Sequence, residues 1–219
     1  MAHLVPVPFI VITVSLLVRS KLISDQRQEY LFKPTSTVLV IVVALLSLLT
    51  PQARPSFTIW ITIGLVLSLG GDVALMLRSE RMFLIGLVLF LLAHVVYAVA
   101  FTVPNGFHPE DLISAAVLLV LAAATYAYLR PGLGSMKGPV LFYIVVICTM
   151  VNRAVSTFFG SEFSPAQAWL LTVGAGLFWI SDLMLAINRF RRPFKAEATS
   201  LFSYYAGQLL IALSPSYFA

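Results

Sequence analysis

Two aspartates stand inside apolar runs where acids are rare. Asp72 lies in Ile61–Arg78, ITIGLVLSLGGDVALMLR, and Asp182 in Leu171–Arg189, LTVGAGLFWISDLMLAINR. A carboxylate in hydrocarbon costs about 3 kcal/mol even on the most lenient scale, so a chain keeps one for a task or for a partner. The two acids are 110 residues apart in a chain of 219. At that offset Thr62 aligns with Thr172, Gly64 with Gly174, Leu67 with Leu177 and Leu75 with Leu185. Other chemistry-bearing side chains fall near the acids in the helical pattern. Phe90, His94, Tyr97 and Phe101 share one face of their span, and Gln208 follows Tyr204 and Tyr205 by about one turn. Gly64, Ser68 and Asp72 recur every four residues, a small face suited to close helix packing. Lys33 precedes Pro34 at the expected mouth of the second span. Two acids, an imidazole and tyrosines in a greasy chamber suit acid–base chemistry on a lipid, since acids crowded together share their charge unequally and divide the roles. The same pair also suits a proton-coupled carrier or a lipid translocator. A third reading has the acids as helix bridges in a scaffold, with Tyr204, Tyr205 and Gln208 as interhelical glue and Lys33 and Arg153 as interface anchors.

The elements that must position these residues are membrane spans. Sixty per cent of the chain is hydrophobic, 11% is charged, and the mean hydropathy is +0.96. Soluble domains are nearer half apolar and a quarter charged. The expected fold is all-α, a polytopic transmembrane helical bundle in a single domain, residues 1–219. Eight spans are expected, at 4–20, 34–50, 57–77, 82–103, 112–129, 139–157, 166–187 and 198–214. Pro, Gly and charges cluster between them, as they do at helix ends. No basic region precedes the first span, so it is expected to remain rather than be cleaved. The single cysteine, Cys148, excludes an intrachain disulfide. There is no HxxxH pattern and no cysteine cluster, so no metal is expected. The net charge of +5 does not point to nucleic acid, because the basic residues lie in short loops.

Twelve of the 14 Lys and Arg residues fall in alternate loops. These are Arg19, Lys21, Arg27 and Lys33 after the first span, Arg78 and Arg81 after the third, Arg130 and Lys137 after the fifth, and Arg189, Arg191, Arg192 and Lys195 after the seventh. The charge rule then puts both termini outside the cytoplasm and the acids toward the cytoplasmic leaflet. Asp72 is six residues before Arg78 and Asp182 seven before Arg189, so each acid is expected about 10 Å inside that boundary. Spans three and seven run the same way. Halves 1–110 and 111–219 therefore read as a 4+4 parallel repeat, unless the matches reflect only the abundance of Gly, Leu and Thr in membrane helices.

The chain resembles the lysoplasmalogenase family, the YhhN-like membrane proteins. The likeness rests on Lys33-Pro34, the segment Ser68 to Leu75 around Asp72, Phe90 to Tyr97 around His94, Phe178 to Ala186 around Asp182, and Tyr205 to Gln208. The resemblance implies an eight-helix hydrolase that needs no cofactor. Its substrate is a lysophospholipid, cleaved at the vinyl ether of the first glycerol carbon to a fatty aldehyde and glycerophosphocholine or glycerophosphoethanolamine. Enol ethers hydrolyse in acid by protonation of the β-carbon, which leaves an oxocarbenium ion for water to trap. Asp72 and Asp182 are thus the expected acid and base or counter-charge, without an assignment between them, and His94 orients one of them or relays protons. Tyr205 and Gln208 are expected to hold water or glycerol oxygens, and Lys33 the phosphate. Tyr97, Ser68 and Ser181 complete the candidate substrate-binding set. Asn152 and Arg153 lie outside the pattern.

Overall fold

A computed structural model describes residues 2–77, 79–192 and 197–218. Arg78 and Lys195, two of the basic residues used to orient the chain, lie outside them. The described residues contain eight long helices: α1 (Val7–Leu22), α2 (Gln26–Leu46), α3 (Pro55–Met76), α4 (Glu80–Asn105), α5 (Asp111–Leu129), α6 (Lys137–Ser156), α7 (Pro165–Phe190) and α8 (Glu197–Leu213). Seven of them, with adjoining turns, are long and apolar enough to cross a membrane. The eighth, α8, has 17 residues and a short 3-10 turn beyond it, Ser214–Tyr217. It nevertheless traverses the bundle. Glu197 at its start lies 3.9 Å from Lys21 at the end of α1. Past its other end, the Tyr217 ring meets the His3 ring at 6.0 Å between centroids. Both ends of the described chain therefore meet at one end of the bundle.

Helix starts follow their local chemistry. Asp25 accepts from the backbone N–H of Arg27 and Gln28, and Ser79 and Ser164 cap α4 and α7 through the N–H of Met82 and Gln167. Pro55 and Pro165 occupy first-turn positions, where the missing N–H has no intrahelical partner to lose.

Three sequence expectations are corrected here. The second span begins at Gln26, not Pro34, because the Asp25 cap starts the helix a full two turns earlier and Pro34 sits inside it. Membrane helices tolerate such a proline when neighbours satisfy the local backbone. Arg19, Lys21, Arg27 and Lys33 are accordingly helical residues flanking a connection of three, Ile23–Asp25, rather than members of a long loop. Lastly, the acids are not equally far from their helix ends. Asp72 is four residues from the end of α3 and Asp182 eight from the end of α7, about 6 and 12 Å of helix.

Helices α3 and α4 pack as a close pair, and so do α7 and α8. Gly64 lies against Tyr97 and Gly71 against Phe90, so aromatic rings fill the space that Cβ atoms would need. Between α7 and α8 the backbones themselves approach. A Cβ on Gly207 would lie 2.7 Å from the carbonyl oxygen of Gly174. The centre contains Tyr97, Phe101, Phe178, His94, Leu65 and Ile211, all fully buried. Helix α5 is peripheral and turns Leu112, Ile113, Leu119 and Val120 outward.

Candidate active site

Asp72, 1% exposed, is held from two helices, α2 and α8. The Lys33 ammonium of α2 lies 3.1 Å from Oδ1. One turn later on α2, the Thr37 hydroxyl donates to Oδ2 at 2.7 Å, and the Tyr204 hydroxyl of α8 donates to the same oxygen at 2.8 Å. The neighbouring Tyr205 hydroxyl donates to the Lys33 carbonyl at 2.8 Å and stands 3.3 Å from the Thr37 hydroxyl. The internal position of Pro34 matters here. Lys33 stands about two turns into α2, with its side chain only 12% exposed, so its cation reaches inward to the acid.

Asp182 has different company. The Tyr143 hydroxyl of α6 donates to Oδ2 at 2.5 Å, and His94 Nε2 of α4 lies 3.6 Å from that oxygen. The imidazole is fully buried between the Phe178 and Tyr143 rings, and neither of its nitrogens has a hydrogen-bond partner. Asp182 also lies within the electrostatic reach of Asp72. Phe178 and Tyr204 pack edge to face between the two acids' surroundings at 5.3 Å, and Phe90 meets both rings.

Deeper in the bundle, the Tyr97 hydroxyl donates to Gln208 Oε1 at 3.0 Å. The Gln208 amide nitrogen and the Ser68 hydroxyl are buried and unpartnered. Ser181 bonds Ser200 of α8 at 3.2 Å between hydroxyls. Thus Asp72, Lys33 and Tyr205 form one cluster, Asp182 and His94 an adjoining one, and Tyr97, Gln208 and Ser68 a polar layer one helical turn further in. Ser181 belongs to the α7–α8 contact. Sequence reasoning missed Thr37, and it missed Tyr143 altogether. The 110-residue offset carried the signal for the latter: Lys33 plus 110 is Tyr143, and His94 plus 110 is Tyr204. Lys33 and Tyr143 sit against the acid of their own half of the chain, while His94 and Tyr204 each sit against the acid of the other half.

Two cavities flank the acids. One, with about 60 Å³ of room, is lined by apolar residues including Leu87, Phe90, Leu129, Ile147 and Trp179, with Thr125, Tyr143 and Asp182 as its polar members. The other, about 200 Å³, is a charged vestibule with Lys21, Glu29, Lys33, Asn188, Glu197 and Ser200 in its walls. Leu75 and Leu185 line both. Among the described residues no group of three His, Cys, Asp or Glu side chains is placed to hold a metal.

The chain matches the YhhN family model over residues 28–215, which takes in every residue of both acid clusters. It belongs to the YhhN family. Among the family's curated relatives it is similar to "Lysoplasmalogenase TMEM86A" of Homo sapiens, 36% identical over 74% of this chain and 67% of that protein. The Bos taurus protein of the same name is 35% identical over 70% of this chain. That match covers 64% of the bovine protein's length, so the chain spans a little under two thirds of it. "Uncharacterized membrane protein YhhN" of Escherichia coli O157:H7 is 31% identical over 85% of this chain and 86% of its own. No solved structure matches. With seven membrane-length helices and membrane relatives, this YhhN member is an integral, multi-pass membrane protein.

At the far end of the bundle lies a second buried ion pair, which the family motifs did not include. Arg153, which the scaffold reading made an interface anchor, is 3% exposed. It is no snorkelling side chain, because Asp111 offers a partner inside: Arg153 Nη1 donates to Asp111 Oδ2 at 2.6 Å and Nε to the Thr102 hydroxyl at 3.0 Å. Its Nη2 donates to the Gly106 carbonyl. Asn152 donates to the Asp111 carbonyl and the Ser114 hydroxyl. This clasp ties together the ends of α4, α5 and α6.

Proposed function

We propose that this protein is a membrane-embedded lysoplasmalogenase that hydrolyses the vinyl ether of a lysoplasmalogen to a fatty aldehyde and a glycerophospho head group. The observation that carries the reading is the pair of cavities meeting at Leu75 and Leu185, charged on one side and apolar on the other, with Asp182 on the apolar side. A vinyl ether stands at that same boundary in its lipid, between polar glycerol and alkyl tail. The names of the mammalian relatives support the same chemistry over a carrier.

The acids divide the work by their surroundings. Asp72, ion-paired with Lys33 and bonded by Thr37 and Tyr204, is the fixed negative charge. Asp182, bonded by a neutral phenol and open to the apolar cavity, is the acid. It delivers its proton to the β-carbon of the vinyl ether, and the double-bond electrons form that new C–H bond. The resulting oxocarbenium ion is steadied by the Asp72 charge. Asp182, now a carboxylate, takes a proton from the water that adds to the α-carbon, so it switches from acid to base as a glycosidase carboxyl does. The hemiacetal then collapses: its hydroxyl proton passes to the glycerol oxygen, the C–O bond breaks and the aldehyde leaves. His94, 3.6 Å from Asp182, orients that carboxyl. Lys33 lines the vestibule as well as pairing with Asp72, so it also meets the phosphate side of the substrate. The contacts at the 110-residue offset support reading the halves as a parallel repeat, and the charge rule supports a cytoplasmic-side site.

The experiment is aldehyde release from a lysoplasmalogen by purified protein in detergent, beside folded Asp72→Asn and Asp182→Asn variants. Release by the parent alone is expected. Release by all three would remove the acids from the mechanism, and none by a folded parent would remove the hydrolase.

A further inference from the structure

The vestibule contains more than a phosphate needs. Lys21 and Lys33 suit an anion, but Glu29 and Glu197 share the same walls. Glu29 is 2.6 Å from Lys21, and its side chain is only 13% exposed. Glu197 is 3.9 Å from Lys21 and 56% exposed at its side chain. A carboxylate beside a bound phosphate repels it. Two carboxylates next to two ammoniums instead complement a ligand that brings both signs. Such a ligand has a phosphodiester on the lysine side and a cation one short spacer away.

Resting on the hydrolase reading above, we propose that the vestibule selects the head group by its terminal cation, with Glu197 and Glu29 favouring the primary ammonium of an ethanolamine head over the quaternary ammonium of choline. A primary ammonium has three N–H donors, each able to make a short charge-assisted bond to a carboxylate. A trimethylammonium has none, and proteins recognise it with the faces of aromatic rings. The described vestibule lining offers carboxylates, Asn188 and Ser200, and its apolar members are Leu75, Met184, Leu185 and Leu201 rather than rings. Glu197, at the open rim, meets the cation first. Glu29, deeper and braced by Lys21, takes a second N–H.

The test separates head-group selection from catalysis. Lysophosphatidylethanolamine and lysophosphatidylcholine of one tail length, both esters without a vinyl ether, are titrated against the purified full chain in detergent. In parallel, aldehyde release is followed from the two corresponding lysoplasmalogens. The ethanolamine lipid should bind about five- to tenfold tighter, the worth of one charge-assisted bond at a partly exposed site. Glu197→Gln should bring the two lipids within about twofold, with choline-lipid affinity unchanged. Glu29→Gln, monitored for folding by thermal melt, should act in the same direction. Equal affinities in the parent, binding of neither lipid, or a preference that survives both substitutions would overturn the inference. Selective binding without aldehyde release would instead leave the inference standing and sink the hydrolase. Release with no head-group preference would do the reverse.

Discussion

Asp72 and Asp182 occupy matching points of helices α3 and α7, yet one faces a cation and the other a phenol. Lys33 and Tyr143 stand at the same offset from their acids, whereas His94 and Tyr204, themselves 110 residues apart, each face the acid in the other half of the chain. Substituting an ammonium for a phenol changes what a buried carboxyl can do. The first fixes a negative charge, and the second leaves an oxygen whose proton can move. On the proposed reading, these two sets of contacts supply the two members of an acid and counter-charge pair.

The strongest way to break this comparison is at the acids. Asp182→Asn should cost about a thousandfold or more in aldehyde release with little change in melting temperature, since removing a general acid costs about 10²–10⁴-fold. A similar loss of stability and activity together would erase the contrast with Asp72. Next in size is the cation. Lys33→Met strands a buried carboxylate and should destabilise by about 3–5 kcal/mol, read by denaturation in detergent. The double variant Lys33→Met with Asp72→Asn should regain stability without regaining turnover. If turnover returns with stability, the fixed charge has no catalytic part. Arg153→Met strands Asp111 in the same manner and should destabilise by a similar amount. Per folded molecule, aldehyde release should be unchanged, because the clasp lies at the far end of the bundle. Smaller effects separate the two hydroxyl donors. Tyr143→Phe removes the hydrogen bond that Asp182 Oδ2 accepts and should lower kcat about tenfold or more. Tyr204→Phe leaves Asp72 with Lys33 and Thr37 and should cost about threefold or less. Equal losses would mean that the two acids share one role.

Much of this was legible in the amino-acid order. Unbroken apolar runs declare helices, since a chain in lipid must satisfy its own backbone. Acids within such runs single out the residues around which the proposed site is drawn. Helix starts were less legible. Pro34 reads locally as a beginning, while the weaker-looking Asp25 is the residue whose side chain collects the free N–H groups. The partnership of Lys33 with Asp72 was hidden by that misplaced start, since a lysine at a span's mouth is expected to reach for water. Arg153 illustrates the limit of reading one helix at a time. Nothing along α6 announces Asp111, 42 residues earlier, as its partner. Tyr143 was recoverable, but only by carrying the offset beyond the helices that showed it.

The shared wall of Leu75 and Leu185 has a further meaning for the choice of lipid. On the proposed reading it acts as a tail counter. One alkenyl chain passes to the apolar side while its glycerol stays with the charges. A glycerol bearing a second fatty chain would have to lay that chain among Lys21, Glu29, Lys33 and Glu197, or pull its head group away from them. Intact, two-tailed plasmalogens should therefore neither turn over nor compete, and the protein would act only after another enzyme has removed the second chain.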